Sequence, residues 1–118
     1  MWLYTDQGAV SVVKNRNRDG ELIVRSRDKE TLEALCPQHY AMIITTTAND
    51  YPFRIFMSKE DWIECLTDYV DDMEYDNFKN HVKTTRPDIL RPYYEVYNAT
   101  LDLEPINARS SVVETRKV

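Results

Sequence analysis

With only two glycines in 118 residues, Gly8 and Gly20, the chain has no means of building a glycine-rich loop that cradles phosphates. Its two cysteines, Cys36 and Cys65, are too few for a disulfide framework and fit reduced, buried thiols. No window approaches the roughly 18 uninterrupted apolar residues of a membrane span, and the amino terminus lacks a basic flank followed by an apolar run. A cytoplasmic protein without membrane contact is therefore expected. Basic residues are missing from one long stretch: eight acidic residues lie between Glu60 and Asp76 with no Lys or Arg among them. Six basic residues fall instead between Lys14 and Lys29. The net charge of −5 argues against general affinity for nucleic acid, though a local basic patch remains open to it.

What is present describes one folded domain. The chain is 42% apolar and 30% charged, the balance of a globular protein, and 13 aromatics, eight of them Tyr, supply large amphipathic side chains. Met1–Thr5 and Ala9–Val13 flank the turn Asp6-Gln7-Gly8 and read as a hairpin, and Asp19-Gly20 leads into a further strand, Glu21–Arg27. In that strand Leu22, Val24 and Ser26 share one face while Ile23, Arg25 and Arg27 share the other. Asp28 is suited to cap a helix over 29–35 that Cys36-Pro37 ends, since the residue before proline avoids the helical region. Met42–Thr47 and Tyr51–Met57 form a third strand pair around Ala48-Asn49-Asp50. Ser58 and Asp61 have the spacing of a capping box, and Trp62, Ile63, Leu66, Val70 and Met73 recur at helical spacing behind them. Shorter helices follow over 76–83 and from Pro92 to before Pro105. Strands first and helices afterwards predict an α+β domain over 1–104, with an antiparallel sheet of four to five strands covered on one face by a C-terminal run of helices. Residues 105–118 form a polar tail, docked or mobile, in which 111–114 could add a strand.

Candidate chemistry is sparse. Cys36, His39, Cys65 and His81 are the inventory of a zinc site, but only Cys36 and His39 have ligand spacing, so neither metal nor cofactor is expected. Cys65 with His81 would make a nucleophile and base only if their helices packed together, and nothing marks an oxyanion site. Glu60, Glu64, Asp68 and Asp71 stack along one helix face opposite Trp62, Leu66, Val70 and Met73, and Asp72 extends the tract. Unpaired acids at these spacings repel by ~0.2–0.5 kcal/mol per pair, a cost that a cationic partner would relieve.

Three readings follow. The first is a non-enzymatic protein-interaction module that presents Glu60, Glu64, Asp68, Asp71 and Asp72 to a basic partner. The second binds nucleic acid through Arg16, Arg18, Arg25 and Arg27, although that segment carries no aromatic platform of its own. The third is a small enzyme using Cys65 or a carboxylate. The segments MWLYT, SVV, ELIVRSR, DYPFRIFMS and EYDNFKNHV together resemble a family of small bacterial or phage-borne proteins with an amino-terminal hairpin and a YDNFK-type segment. That resemblance implies a cytoplasmic domain and brings no activity and no catalytic residues.

Overall fold

The computed structural model describes residues 1–47 and 49–105. Strands β1 (Trp2–Thr5), β2 (Gly8–Lys14) and β3 (Glu21–Ser26) form consecutive hairpins, and after an intervening helix β4 (Ile44–Thr45) and β5 (Phe53–Ser58) complete an antiparallel sheet of five strands in the order β1-β2-β3-β5-β4. Helix α1 (Lys29–Leu35) starts where the Asp28 side chain accepts from the Thr31 amide, and α2 (Lys59–Asp71) starts where Ser58 accepts from Asp61. Both caps occupy one of the amide donors that a helix start leaves without partners. Most of the helical residues lie C-terminal, in α2, α3 (Phe78–Thr85) and α4 (Pro87–Thr100). Among the described residues no helix is long and apolar enough to cross a membrane.

The period of two along each strand decides where the core lies. Val10, Val12, Val24, Ile55 and Met57 point to one face and are buried there against Leu32, Leu35 and Cys36 of the α1 region and Trp62 and Cys65 of α2. On α2 the apolar positions part company. Trp62, Cys65, Leu66 and Tyr69 turn to the core, whereas Ile63, Val70 and Met73 face outward, because the helix rests on the sheet along a narrower stripe than its apolar residues span.

Three other boundaries differ from expectation. Pro37–Met42 is a 3-10 helix, so β4 is only two residues long. Helix α3 begins at Phe78 rather than Asp76, capped by the Asn77 side chain. Helix α4 begins at Pro87, whose missing N–H costs nothing in the first turn, and it continues through Pro92 with the loss of one internal hydrogen bond. The tail over 106–118 and its suggested strand lie outside the described residues.

Helices α3 and α4 are fastened to the turn between β1 and β2 by polar contacts. Asp6, buried in that turn, accepts from the Tyr69 hydroxyl, and its other carboxylate oxygen lies 2.8 Å from His81 Nε2. Tyr75 stacks on the His81 ring at 4.7 Å. Arg86 donates to the Gln7 carbonyl at 2.8 Å, and the Tyr93 hydroxyl donates to the Thr5 carbonyl at 2.7 Å. Thr31 of α1 also donates to Gln7, at 3.1 Å, and its side chain fills the space beside Gly8, whose φ is +128°. A Cβ at that glycine would lie 2.0 Å from Thr31 Oγ1, so both the conformation and the space demand glycine.

Candidate functional site: an arginine cluster on the open sheet face

The face of the sheet opposite α1 and α2 is bordered by α4 at its β1 end, where Tyr93 meets Tyr4 edge-on at 5.6 Å and Ile89, Pro92 and Val96 line a pocket with Trp2, Arg27 and Tyr51. Register aligns Trp2 with Ser11, Ser11 with Arg25, Arg25 with Arg54, and Arg54 with Ile44, so one row crosses every strand. The neighbouring row is Val13, Ile23 and Phe56. The two arginines are thus direct cross-strand neighbours on β3 and β5, and Arg27 follows two residues after Arg25, just beyond the end of β3.

None of the three arginines makes an ion pair with a carboxylate among the described residues. Arg25 donates to Ser11 Oγ at 2.7 Å, Arg54 to the Tyr51 carbonyl at 3.4 Å, and Arg27 to the Asp50 carbonyl at 3.4 Å. The Tyr51 ring lies against two of them, its centroid 4.9 Å from Arg25 Cζ and 5.0 Å from Arg27 Cζ. These neutral partners hold the side chains in place and leave their charges uncompensated. Moreover, Nε of Arg25 and Nε of Arg54 are both buried with no acceptor. Like charges directly opposite in a sheet are destabilising, and a buried donor without a partner costs about 1–3 kcal/mol. Stacking on Tyr51 offsets only part of this, about 0.5–1 kcal/mol for an exposed cation on a ring.

The basic residues singled out in the sequence divide between two places. Arg25 and Arg27 belong to the cluster. Arg16 and Arg18 sit in the loop between β2 and β3, where Arg18 is 3.4 Å from Glu21, while Arg16 lines a shallow depression together with Val13, Ile23 and Arg25. The aromatic groups missing from that segment come from elsewhere: Tyr51 from the loop before β5, Phe56 from β5, and Trp2 from β1. Trp2 is 70% exposed and Phe56 37%. Arg54 and Tyr51 are the members that sequence reasoning passed over. The alternation Phe53-Arg54-Ile55-Phe56-Met57 carries the signal, since it sets Arg54 and Phe56 on the face away from Ile55 and Met57.

The acidic residues Glu60, Glu64, Asp68 and Asp71 of α2, with Asp72 at its C-cap, are all exposed. None of them forms an ion pair with Lys or Arg among the described residues. Cys65 lies nearby on the inner side, and it meets His39 rather than His81: its Sγ is 4.0 Å from His39 Nδ1, and His39 Nε2 is 3.7 Å from Asp61 Oδ2. The order of groups is that of nucleophile, base and orienting acid, but the electrostatics oppose it. Burial pushes the Cys65 thiol above its ordinary value, a hydrogen bond with Cys36 opposes part of that, and Asp61, Glu64 and Asp68 push it up further. Reactive cysteines need the reverse, a site that favours the thiolate. Cys36 is pushed up further by burial. Among the described residues no three His, Cys, Asp or Glu side chains converge as metal ligands. Comparison with protein-family models, with curated proteins and with solved structures gives no match.

Proposed function

We propose that the protein is a non-enzymatic binding module that holds an oxyanion-bearing ligand on the open face of its sheet, through Arg25, Arg27 and Arg54. The carrying observation is the Arg25–Arg54 pair: two arginines in register across neighbouring strands, half-buried, each with an Nε that has no acceptor, and paired with no carboxylate among the described residues. An arrangement that costs stability in the free protein gains it back when an anion bridges the cations, because charge-assisted hydrogen bonds to phosphate or carboxylate are roughly twice as strong as neutral ones. The acidic α2 lies on the far side of the sheet and repels the same anion. The separation of charge therefore directs it to the arginine face.

Tripolyphosphate titrated into the protein and followed by calorimetry tests this reading. Saturable binding that weakens with added salt, and that is lost in the Arg27→Met/Arg54→Met variant, is the expected result. Equal binding by that variant, or no binding by the native protein at low salt, would remove it.

A second reading concerns α2. Its exposed carboxylates lie beside Ile63 and Val70, 61% and 57% exposed, and apolar groups flanked by unpaired acids suit a basic protein partner with an apolar contact. Reversal of charge at Glu64 and Asp68 is expected to abolish capture of such a partner with helix content unchanged. Undiminished capture would refute it.

A further inference from the structure

We infer that the ligand of the arginine face is a single-stranded nucleic acid, its phosphates on the arginines and its bases on the rings beside them. This inference rests on the oxyanion reading above and gives it a substrate class. Its first support is length. The row from Trp2 through Ser11, Arg25 and Arg54 to Ile44 crosses five strands, about 19 Å at the ~4.8 Å spacing of neighbouring strands. Arg27 on one side of the row and Arg16 on the other extend the positive track, the latter through the depression it shares with Arg25, Val13 and Ile23. An isolated phosphate would occupy a small part of such a track, whereas a polymer with regularly placed charges occupies all of it.

The second support is the placement of rings among the cations. Phe56 lies next to Arg54 on the same strand and the same side, and Trp2 ends the row that contains both central arginines. Every base offers a flat face to an aromatic side chain, so exposed rings interleaved with arginines make a platform for single strands that is largely indifferent to sequence. The third support is shape. Arg25 is held on Ser11 and Arg54 on the Tyr51 carbonyl, so these two guanidinium groups are tied to the sheet rather than extended toward the groove of a duplex. Unpaired bases can come to the sheet instead. The acid on this face of β3, Glu21, is already engaged by Asn15 at 2.7 Å and by Arg18.

The experiment compares fluorescein-labelled oligo(dT) and oligo(U) of about 12 nucleotides, within the span one such module covers, with a duplex of equal length and with tripolyphosphate as competitor. The native protein, Phe56→Ala, Trp2→Ala and Arg27→Met/Arg54→Met are each titrated by anisotropy. Each variant's urea midpoint is measured alongside, so that a loss of fold is told apart from a loss of contact. Expected are tighter binding of single strands than of duplex and a loss of about five- to a hundredfold on removing Phe56 or Trp2, with tripolyphosphate affinity unchanged in those two variants. The oligo(dT) and oligo(U) arms decide between DNA and RNA as the source. Single strand and duplex bound alike, with no response to the ring variants, would overturn the inference and leave the oxyanion reading standing. Absence of affinity for tripolyphosphate as well as for the oligonucleotides would overturn both.

Discussion

If the arginine face is shaped by ligand binding at the expense of the free fold, removing one of its central charges should stabilise the protein. Arg54→Met is the informative substitution. Methionine keeps the length of the aliphatic stem, which packs on the sheet, and deletes the guanidinium. The deletion relieves a cross-strand like-charge contact worth about 0.2–1 kcal/mol and removes a buried Nε without an acceptor, worth about 1–3 kcal/mol. Against this stands one hydrogen bond to the Tyr51 carbonyl at 3.4 Å, long enough to count at the low end of the ~0.5–1.5 kcal/mol range. The net expectation is a gain of about 1 kcal/mol in urea denaturation at low salt, with the slope against denaturant unchanged. Part of the gain should fade as salt screens the repulsion. Arg25→Met gives the same relief but also strips the 2.7 Å bond from buried Ser11 and the stacking on Tyr51, so its gain should be smaller than that of Arg54→Met. A loss of 1 kcal/mol or more for Arg54→Met at every ionic strength would refute the argument that this pair is uncompensated.

Gly8→Ala should cost about 3 kcal/mol or more in the urea midpoint, from positive φ and from the clash with Thr31 together, whereas Gly20→Ala, with φ +77° and open space around it, should cost about 1 kcal/mol. Asp6→Ala strands the Tyr69 hydroxyl and His81, and a loss of roughly 2–3 kcal/mol is expected. Hydrogen exchange should localise that loss to α3 and α4; uniform deprotection of the whole sheet would contradict the fastening described here. Burial holds Cys36 above its ordinary 9.0, and burial with Asp6 holds Tyr69 above its ordinary 10.0. Both groups keep their protons in the folded state at pH values where the unfolded chain releases them, so the stability they contribute is full below pH 9 and falls as pH rises beyond it. Urea midpoints at successive alkaline pH values should decline in the native protein and decline less steeply in Cys36→Ala, where only the Tyr69 part remains.

How much of this was legible in the sequence depends on how far apart the interacting residues lie. Local signals translated directly: the alternation of Leu22, Val24 and Ser26 against Ile23, Arg25 and Arg27, the Asp28 and Ser58 caps, and the strand pairs around their turns. Residues joined only by register did not. Nothing in the segment around Arg25 announces that Arg54 will face it or that Tyr51 will lie on it, because β3 and β5 become neighbours only after α1 and β4 have been accommodated. The helical spacing of Ile63, Val70 and Met73 suggested burial, yet the contact of α2 with the sheet uses Cys65 and Tyr69 instead, one of them a residue whose hydroxyl also reaches Asp6. Cys65 meets His39 rather than His81 for the same reason. Which histidine approaches Cys65 is settled by how the 3-10 helix after α1 lies against α2, a packing fact with no short-range signature.

The measurement that bears most directly on the central claim is a map of backbone amide shifts during titration with tripolyphosphate. Held on the open face, the anion should move the amides of Arg25, Arg27, Tyr51 and Arg54 together, along one saturating curve, and leave α2 unmoved. Shifts gathered on other surfaces, or scattered in proportion to exposed lysine, would contradict it.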